Sequence, residues 1–360
     1  MKPPGGVCTA PNAEHPQEEV TAAPAPEHGD TAVTLQVNLA PPDLRHAREI
    51  LPHELRQLGH QVAEILLVLD LNRNRLGDPA AWANGEAGLR SLAEGLQERY
   101  PHLRLIEVDS SPDTALQVAQ AFSGGEPLPQ KDWRGAPVYP YFFGLWAARN
   151  RYVLHMDSDM LYGGGSSTWV QEAVELLQSR PDVLLCSPLP GPPTATGELV
   201  AQELPREPLD SLAFRADQIS SRVFLMDIDR FRERVGGIEI VPPPRDKVWL
   251  ARLDGYTPCE CAETMLSTAL VGASLSRIDF LGQEPGLWSL HPPYRSELFY
   301  DTLPTLISRV EAGEVPDEQR GRYDVHDSMV DWSSARKPRW RRWMRHAELA
   351  LRNLTESRRR

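Results

Sequence analysis

Cysteine is scarce in this chain of 360 residues, which contains only four. They are Cys8, Cys186, Cys259 and Cys261, too few for the disulfide framework of a small secreted domain. Cys259 and Cys261 form a C-x-C pair, but no second pair of Cys or His lies at the spacing of a zinc finger, so we interpret them as ordinary thiols. The scarcity of cysteine favours a reducing compartment.

Long hydrophobic runs are also missing. No segment approaches the ~20 consecutive apolar residues that a membrane-spanning helix needs. Residues 1–6 are not followed by the apolar core of a signal peptide. We therefore expect a cytoplasmic protein.

Positive charge is in the minority. The chain has 38 Lys and Arg against 50 Asp and Glu, which gives a net charge of −12. Residues 336–360 hold ten Lys or Arg and two Asp or Glu, so this tail carries +8 and the remainder of the chain −20. An acidic body of that size argues against nucleic acid as a partner, because nucleic-acid binding relies on basic surfaces.

The basic tail at 336–360 also has apolar residues at helical spacing. These are Trp340, Trp343, Met344, Ala347, Leu351 and Leu354. The pattern is typical of an interfacial helix drawn to anionic lipid at the inner membrane surface, which would suit a lipid-linked partner molecule. It also fits a final helix docked on the acidic body, and the sequence leaves both interpretations open.

What the chain does contain is a regular alternation of strand and helix patterns. Residues 1–30 are rich in Pro, Ala and Glu and are expected to form a disordered leader. Apolar, β-prone runs predict strands at 33–39, 65–69, 103–108, 152–156 and 183–186. Helical periodicity predicts helices at 43–59, 86–99, 112–122, 140–149 and 167–179. This alternation predicts an α/β fold with a mostly parallel sheet covered by helices on both faces.

The second half of the chain is less regular. It has predicted strands at 222–226, 275–280 and 287–291 and a predicted helix at 263–271. The segments 188–210 and 292–325 are predicted to be irregular, the first because it is rich in proline.

Two aspartates directly follow the predicted strand at 152–156. Asp157 and Asp159 are spaced i, i+2, so their side chains leave the same face of an extended strand. Two such carboxylates repel each other unless a cation or a proton lies between them, and Mg²⁺ and Mn²⁺ prefer oxygen ligands. Asp70 and Asp109 also follow predicted strands, and the carboxyl ends of parallel strands meet at one sheet edge. The sequence therefore predicts a polar cleft that holds a metal and a phosphate group.

This pattern resembles a family 2-like glycosyltransferase of the GT-A fold across residues 31–332. Four features carry the resemblance: the strand–helix–strand segment 33–70, the helix Y-F-F-G-L-W-A-A at 141–148, the D-x-D motif at 157–159 and C-A-E-T at 261–264. The chain departs from the family pattern at Leu71 and Thr264, where the family has Asp.

The resemblance implies a three-layer α/β/α sandwich around a mostly parallel, Rossmann-like sheet. It also implies a glycosyltransferase domain at 31–335, divided into a nucleotide-sugar-binding half (31–187) and an acceptor-binding half (188–335). The implied activity transfers a sugar from a nucleotide-diphosphate sugar to a hydroxyl or amine of an unknown acceptor, with Mn²⁺ or Mg²⁺ as cofactor.

The resemblance also implies roles for single residues at the donor site. Asp159 would be the principal metal ligand, and Asp157 would contact the ribose or reach the metal through water. Asp70, and with less support Asp109, would receive the base or ribose, and Asn38 would lie where the backbone meets the nucleotide. The alternatives are a capping role for Asp159 at the glycine-rich turn that follows, and ordinary strand-end or turn roles for the others.

Glu263 is the candidate general base, since an acceptor hydroxyl must lose a proton as it attacks. A single base opposite the leaving group implies inversion of configuration. A first-turn glutamate that stabilises its helix dipole is the competing interpretation, and Glu260 is the local alternative. His291 is the candidate late metal ligand, with His326 in competition, and Tyr294 and Arg295 would close over the diphosphate.

Three other functions stay open. A haloacid-dehalogenase-like phosphatase uses D-x-D with the first aspartate as nucleophile, although that motif usually lies near the start of the domain. A nucleotidyltransferase has a similar fold but usually carries a basic, glycine-rich loop after the first strand, which residues 38–42 lack. A catalytically impaired nucleotide-sugar-binding module is the non-enzymatic alternative.

Overall fold

The computed structural model describes residues 30–73, 78–200 and 202–336. The leader predicted at 1–30 and the basic tail at 336–360 lie outside the described residues, apart from Asp30 and Arg336. No helix of the described part of the chain is long and apolar enough to cross a membrane.

Ten strands form one mixed sheet. They are β1 (Val33–Leu39), β2 (Glu64–Leu69), β3 (Leu103–Glu107), β4 (Tyr152–Asp157), β5 (Leu161–Gly163), β6 (Val183–Pro190), β7 (Ala213–Ala216), β8 (Val223–Asp227), β9 (Ser276–Phe280) and β10 (Trp288–Leu290). The order along the sheet is β3-β2-β1-β4-β8-β6-β10-β5, and β9 pairs with both β6 and β7. The first four strands are parallel neighbours, whereas β8 lies antiparallel between β4 and β6.

Helices cover both faces of the sheet. They are α1 (Leu44–Leu58), α2 (Pro79–Arg99), α3 (Pro112–Phe122), α4 (Tyr139–Ala147), α5 (Trp169–Ser179), α6 (Ile228–Arg230), α7 (Arg245–Asp254), α8 (Ala262–Gly272) and α9 (Glu297–Glu311). One core packs α1, α2 and α5 against one face, and a second packs α3, α4 and α8 against the other. The α/β class and the helix-covered, mostly parallel sheet predicted from the sequence are confirmed.

Alternation along the central strands supplies both cores. In β2, Ile65, Leu67 and Leu69 belong to the first core, whereas Leu66 and Val68 belong to the second. Successive side chains of a strand point to opposite faces, so an unbroken apolar run is what a strand buried on both sides requires.

The register of the parallel strands positions the site. Asn38 of β1 pairs with Asp157 of β4, and Leu39 pairs with Leu69, the residue before Asp70. Polar residues 30 to 120 positions apart in sequence therefore reach the same sheet edge because their strands end in register.

The second half contains elements that the sequence did not predict. β6 continues to Pro190, beyond the predicted end at 186, because its last residues pair with β10. The predicted loop 292–325 contains α9, a helix of fifteen residues with Pro304 inside it. Its apolar residues keep helical spacing across the proline, and Phe299, Leu303 and Val310 are buried in a third apolar cluster.

Other differences between the predicted and the observed elements lie in segments whose sequence patterns are short or weak. The three-residue β5 and four-residue β7 are too short to show periodicity, and α7 follows three prolines without a strong apolar stripe. Helix α2 begins at Pro79 rather than at 86, because Asp78 caps it by accepting the N–H of Ala80.

Candidate functional site

A cleft of about 400 Å³ opens at the carboxyl ends of β1, β2 and β4. Its polar lining consists of Asn38, Asp43, Asp70, Asn72, Lys131, Tyr141, Asp157, Ser158, Asp159 and Arg295. The structure thus brings together five of the residues that the sequence singled out: Asn38, Asp70, Asp157, Asp159 and Arg295. Cationic side chains approach the cleft from two separate loops.

Asp159 is the buried carboxylate of the cleft, with its side chain 1% exposed. One oxygen, Oδ2, accepts a hydrogen bond from Arg295 and lies 3.5 Å from Nε2 of His291. Burial by itself raises the pKa of Asp159, but the hydrogen bond with His291 and the charge of Arg295 outweigh it and lower the pKa to about 2. The other oxygen, Oδ1, has no hydrogen-bond partner within the described residues. Asp159 is therefore an ionised carboxylate with one buried oxygen that no described residue engages.

Asp157 is more accessible than Asp159. Its Oδ1 accepts the hydroxyl of Tyr141, and Nε2 of His155 lies 3.7 Å from the same oxygen. Its backbone N–H donates to the carbonyl of Arg222 at 2.8 Å, which ties the end of β4 to the start of β8. His155 is fully buried between Tyr141 and Phe224, as expected of a core residue next to the site.

Of the two late histidines, the structure brings His291 to Asp159. His291 lies between two carboxylates, with Nδ1 3.5 Å from Asp324, and its ring stacks on Tyr323. Burial lowers the pKa of His291, but the hydrogen bonds with Asp159 and Asp324 outweigh burial and raise it above the ordinary value. His326 instead contacts the hydroxyl of Ser328 at 3.0 Å.

The opposite end of the cleft surrounds Asp70. Burial raises the pKa of Asp70, while the backbone N–H of Asn72, at 2.8 Å, and the charge of Lys131 oppose the rise. Nζ of Lys131 donates to the carbonyl of Asn72 at 2.8 Å, so the loop that carries Lys131 closes this end.

Asp109 and Tyr294 are not among the described residues that line the cleft. Asp109 accepts hydrogen bonds from Ser111 and Thr114, which lower its pKa, so its carboxylate organises the start of α3. Tyr294 packs on Trp332, with ring centroids 5.9 Å apart. The local hydrogen bonds of Asp109 correspond to the strand-end role that the sequence left as an alternative.

Glu263 lies in the first turn of α8 and also falls outside the cleft lining formed by the described residues. It is exposed to solvent, yet the surrounding protein raises its pKa by desolvation, against the charges of Arg222, Arg134 and Arg277. Glu263 therefore takes up a proton more readily than an ordinary glutamate. Glu260 lies nearby, and one of its oxygens accepts the N–H of Cys261 at 3.4 Å.

Sequence reasoning missed several residues at the cleft. Asp43, the first residue of the helix predicted at 43–59, lies in the cleft with the two aspartates, and burial raises its pKa to about 6, against a hydrogen bond from Ala40. His46 lies 3.2 Å from the Ser158 hydroxyl, and burial lowers its pKa to about 4. The sequence did not single out His46, since its approach to Ser158 depends on how α1 packs.

Glu54 is a second buried acid that the sequence did not reveal. It lies on α1 beneath the turn after Asp159 and accepts the N–H of Met160 at 3.3 Å. Burial and the charge of Asp159 hold its pKa well above the ordinary value. A neutral carboxyl here supports the turn without adding negative charge beside the aspartates.

Within the described ranges, no group of three or more His, Cys, Asp or Glu is arranged to hold a metal ion by itself. The buried Oδ1 of Asp159, which no described residue engages, and the carboxylate of Asp157 line the same cleft, and carboxylate oxygens are ligands that Mg²⁺ and Mn²⁺ accept.

Comparison with known proteins gives similarity only at the level of solved structures. No family model and no curated protein matches the chain. A galactosyltransferase, LgtC, in complex with donor and acceptor sugar analogues is 11% identical, with 68% of this chain and 70% of that chain covered and a TM-score of 0.30. TarS from S. aureus in complex with UDP-GlcNAc is 14% identical, with 71% and 58% covered and a TM-score of 0.35.

A third similar structure is the mannosyltransferase PcManGT from Pyrobaculum calidifontis in complex with GDP-Man and Mn²⁺. It is 17% identical, with 67% of this chain and 57% of that chain covered and a TM-score of 0.33. This chain thus spans less than two thirds of the TarS and PcManGT chains. Because TM-scores this low carry no functional inference, only the residues of the cleft are used below.

Proposed function

We propose that the chain is a glycosyltransferase that binds a nucleotide-diphosphate sugar in the cleft and transfers the sugar to an acceptor hydroxyl or amine. The observation that carries the proposal is the pair of Asp157 and Asp159 at the end of β4, facing a cleft with Arg295 at one end and Lys131 at the other. A diphosphate needs cationic groups near its oxygens, and a nucleoside needs polar groups at a distance from them.

Mn²⁺ or Mg²⁺ is the proposed cofactor. Asp159, Asp157 and His291 would hold the ion, and the unpartnered, buried Oδ1 of Asp159 supports this assignment. When bound, the ion acts as a Lewis acid that stabilises negative charge on the leaving diphosphate.

Arg295 is proposed to bind the diphosphate. Its side chain is 45% exposed, so the guanidinium is accessible to a ligand while it contacts Asp159. A planar guanidinium donates two parallel hydrogen bonds to phosphate oxygens. Tyr294, packed on Trp332, would hold the segment that presents Arg295.

Asn38 and Asp70 are proposed to receive the ribose and base at the other end of the cleft. Hydroxyls of a ribose can donate to the carboxylate of Asp70, and Asn38 lies beside Asp157 in the strand register. Asp109 is a weaker candidate for this role, because its carboxylate already accepts hydrogen bonds from Ser111 and Thr114. In this scheme residues 31–187 bind the donor and residues 188–335 the acceptor.

Glu263 is proposed as the general base that removes the proton of the acceptor, with inversion of configuration. A raised pKa suits this role, since a base works best with a pKa near the working pH. The charge of Asp157 adds to the rise in the pKa of Glu263.

A nucleotide-sugar-binding module without turnover is the second candidate. The position of Glu263 outside the cleft lining formed by the described residues favours it, because a general base must lie within hydrogen-bond reach of the attacking group. Transfer or donor hydrolysis distinguishes the two functions.

A thermal-shift screen with UDP-, GDP- and dTDP-sugars tests the donor site. We expect at least one of them to raise the melting temperature in the presence of Mn²⁺ and no shift with Asp159→Asn. Release of free nucleotide by the wild-type protein then supports an enzyme, and binding without release supports the module. If no nucleotide sugar binds with Mn²⁺ or Mg²⁺, the proposal is wrong.

A further inference from the structure

A second, smaller cavity lies beside the donor cleft at the same edge of the sheet. It has a volume of about 40 Å³ and lies between the ends of β6, β8, β9 and β10. We name it the Ser289 pocket; the lining residues that matter here are Ser187, Ser220, Arg277, Asp279, Ser289 and Tyr323. A cavity of this size holds roughly two to four water-sized groups. It therefore accommodates one edge of a small polar molecule.

The lining of the Ser289 pocket is mixed, with apolar surface from Pro188, Pro190 and Val223 beside the polar side chains, and it has no net charge. Arg277 and Asp279 on β9 form an ion pair, in which Nη2 donates to Oδ2 at 2.8 Å and Nε lies 2.7 Å from Oδ1 without making a hydrogen bond. Both residues are buried, at 7% and 2% exposure. An anionic ligand would meet the carboxylate of Asp279 and a cationic one the guanidinium of Arg277. A charged group buried here without its own counter-ion is therefore disfavoured.

Ser289 marks the pocket as a binding site. Its neighbours on β10, Trp288 and Leu290, pack into an apolar cluster, so the serine points to the other side of the strand. Its Oγ is buried and has no hydrogen-bond partner among the residues that the structure describes. An apolar ligand would leave that hydroxyl unsatisfied, whereas a ligand hydroxyl would both donate to it and accept from it.

Tyr323 of the pocket is separated from Asp159 by one residue, His291, and from Asp157 by one residue, Arg222. Tyr323 stacks on His291, which contacts Asp159. The guanidinium of Arg222 lies over the ring of Tyr323, 5.5 Å from its centroid, and the carbonyl of Arg222 accepts the N–H of Asp157. A molecule anchored in the pocket would thus extend toward the place where the donor sugar is proposed to lie.

We propose that the Ser289 pocket binds hydroxyl groups of a neutral, polyhydroxylated acceptor, a sugar or a polyol. The proposal rests on the proposed glycosyltransferase function and names the class of its acceptor. It follows from the small volume, the mutual neutralisation of Arg277 and Asp279, and the buried hydroxyl of Ser289, which has no hydrogen-bond partner among the described residues.

Saturation-transfer NMR on the full chain tests the proposal with defined probes. The neutral probes are glycerol and the methyl glycosides of glucose, galactose, mannose and N-acetylglucosamine; glycerol 3-phosphate and 1-hexanol are the anionic and apolar comparisons. We expect at least one neutral probe to bind. Ser289→Ala should weaken its binding about fivefold, the effect of one hydrogen bond, and Ser289→Leu, which fills the cavity, should abolish it.

Ser308→Ala is the matched control, because Ser308 lies on α9, where its exposed hydroxyl donates to the carbonyl of Pro304. It should bind the probe as the wild type does. Ser289→Ala is a small change, so it still tests the proposal if the Ser289→Leu protein does not fold. The proposal is overturned if no neutral probe binds, if binding ignores both Ser289 substitutions, or if only glycerol 3-phosphate or hexanol binds in a Ser289-dependent way.

The thermal shift with a nucleotide sugar and Mn²⁺, measured on the same variants, separates this proposal from the previous one. Neutral probes that bind through Ser289 in a protein that binds no nucleotide sugar would refute the donor site and leave the pocket. A donor shift combined with probe binding that is independent of Ser289 would refute the pocket and leave the donor site.

Discussion

The donor cleft and the Ser289 pocket lie side by side at one sheet edge but treat charge in opposite ways. In the cleft, Asp159 is buried with a lowered pKa, and one of its oxygens is still without a partner. In the pocket, Arg277 and Asp279 neutralise each other in their ion pair. Under the proposed functions, the unbalanced cleft would take up a metal and a diphosphate, and the balanced pocket would select neutral hydroxyls.

Because of this difference in charge, the two sites should respond to different substitutions. Changes in the cleft should alter the use of the donor and the metal. Changes in the pocket should alter the acceptor alone. The predictions below test that separation, beginning with the largest expected effect.

Asp159→Asn should have the largest effect. It removes the charge that holds the metal, and loss of electrostatic stabilisation of this kind lowers rates by about 100- to 1,000-fold. The measurement is release of nucleotide from the donor found in the screen, together with Mn²⁺ binding by calorimetry. Binding of a neutral sugar to the Ser289 pocket should stay within about twofold, the precision of such a comparison. Unchanged Mn²⁺ binding would rule out Asp159 as the ligand.

Glu263→Gln should lower the transfer rate by about 100-fold, the lower end of the range for a general base, while donor affinity stays the same. The wild-type rate should rise with pH through a pKa above that of an ordinary glutamate, because the base acts deprotonated and its pKa is raised. The residual rate of the variant should lose that dependence. Glu260→Gln is the matched control, and transfer at the wild-type rate by Glu263→Gln would exclude the base assignment.

Arg295→Ala should raise the donor KM by about tenfold, since a charge-assisted hydrogen bond contributes roughly 1.5 to 3 kcal/mol. Arg295→Lys should recover only part of that loss, because an ammonium lacks the planar pair of donors. Arg45→Ala is the control. Arg45 forms an exposed ion pair with Glu297, which lies two residues after Arg295 in the sequence. If Arg45→Ala and Arg295→Ala raise the KM equally, Arg295 has no specific role in the cleft.

Asp43→Asn should produce the smallest effect, on stability rather than activity. The pKa of Asp43 is about 6 in the folded protein against 3.8 for an unperturbed aspartate. Its favourable contribution is thus present below that lower value and is lost as the pH rises through 6. The asparagine variant should gain about 1 to 2 kcal/mol of unfolding free energy relative to wild type across this window. Urea unfolding at several pH values measures the gain, and a difference that does not change with pH would contradict the raised pKa.

Much of the first half of the fold was predictable from the sequence. The strands β1, β2, β3 and β4 and the helix α3 lie where the apolar runs and periodicity placed them, within one or two residues. Local signals sufficed there because these strands carry apolar runs or alternating apolar residues and α3 has a buried stripe.

The second half was less predictable for physical reasons. Helix α9 has Pro304 inside it and follows an irregular segment, so local propensity argued against it, and its burial against β5 and α1 stabilises it instead. β5 and β7 are held by strand partners distant in sequence and show no pattern of their own.

The candidate site divides in the same way. The sequence by itself determined that Asp157 and Asp159 come at the end of one buried strand and that Asp70 follows another, because strand periodicity is a local property. Only the tertiary structure decided that Asp43 joins them and that His291 rather than His326 reaches Asp159. The tertiary structure also places Ser289 at a pocket in which the charges of Arg277 and Asp279 neutralise each other. Those outcomes depend on packing between elements far apart in the chain, and no local pattern of residues encodes that packing.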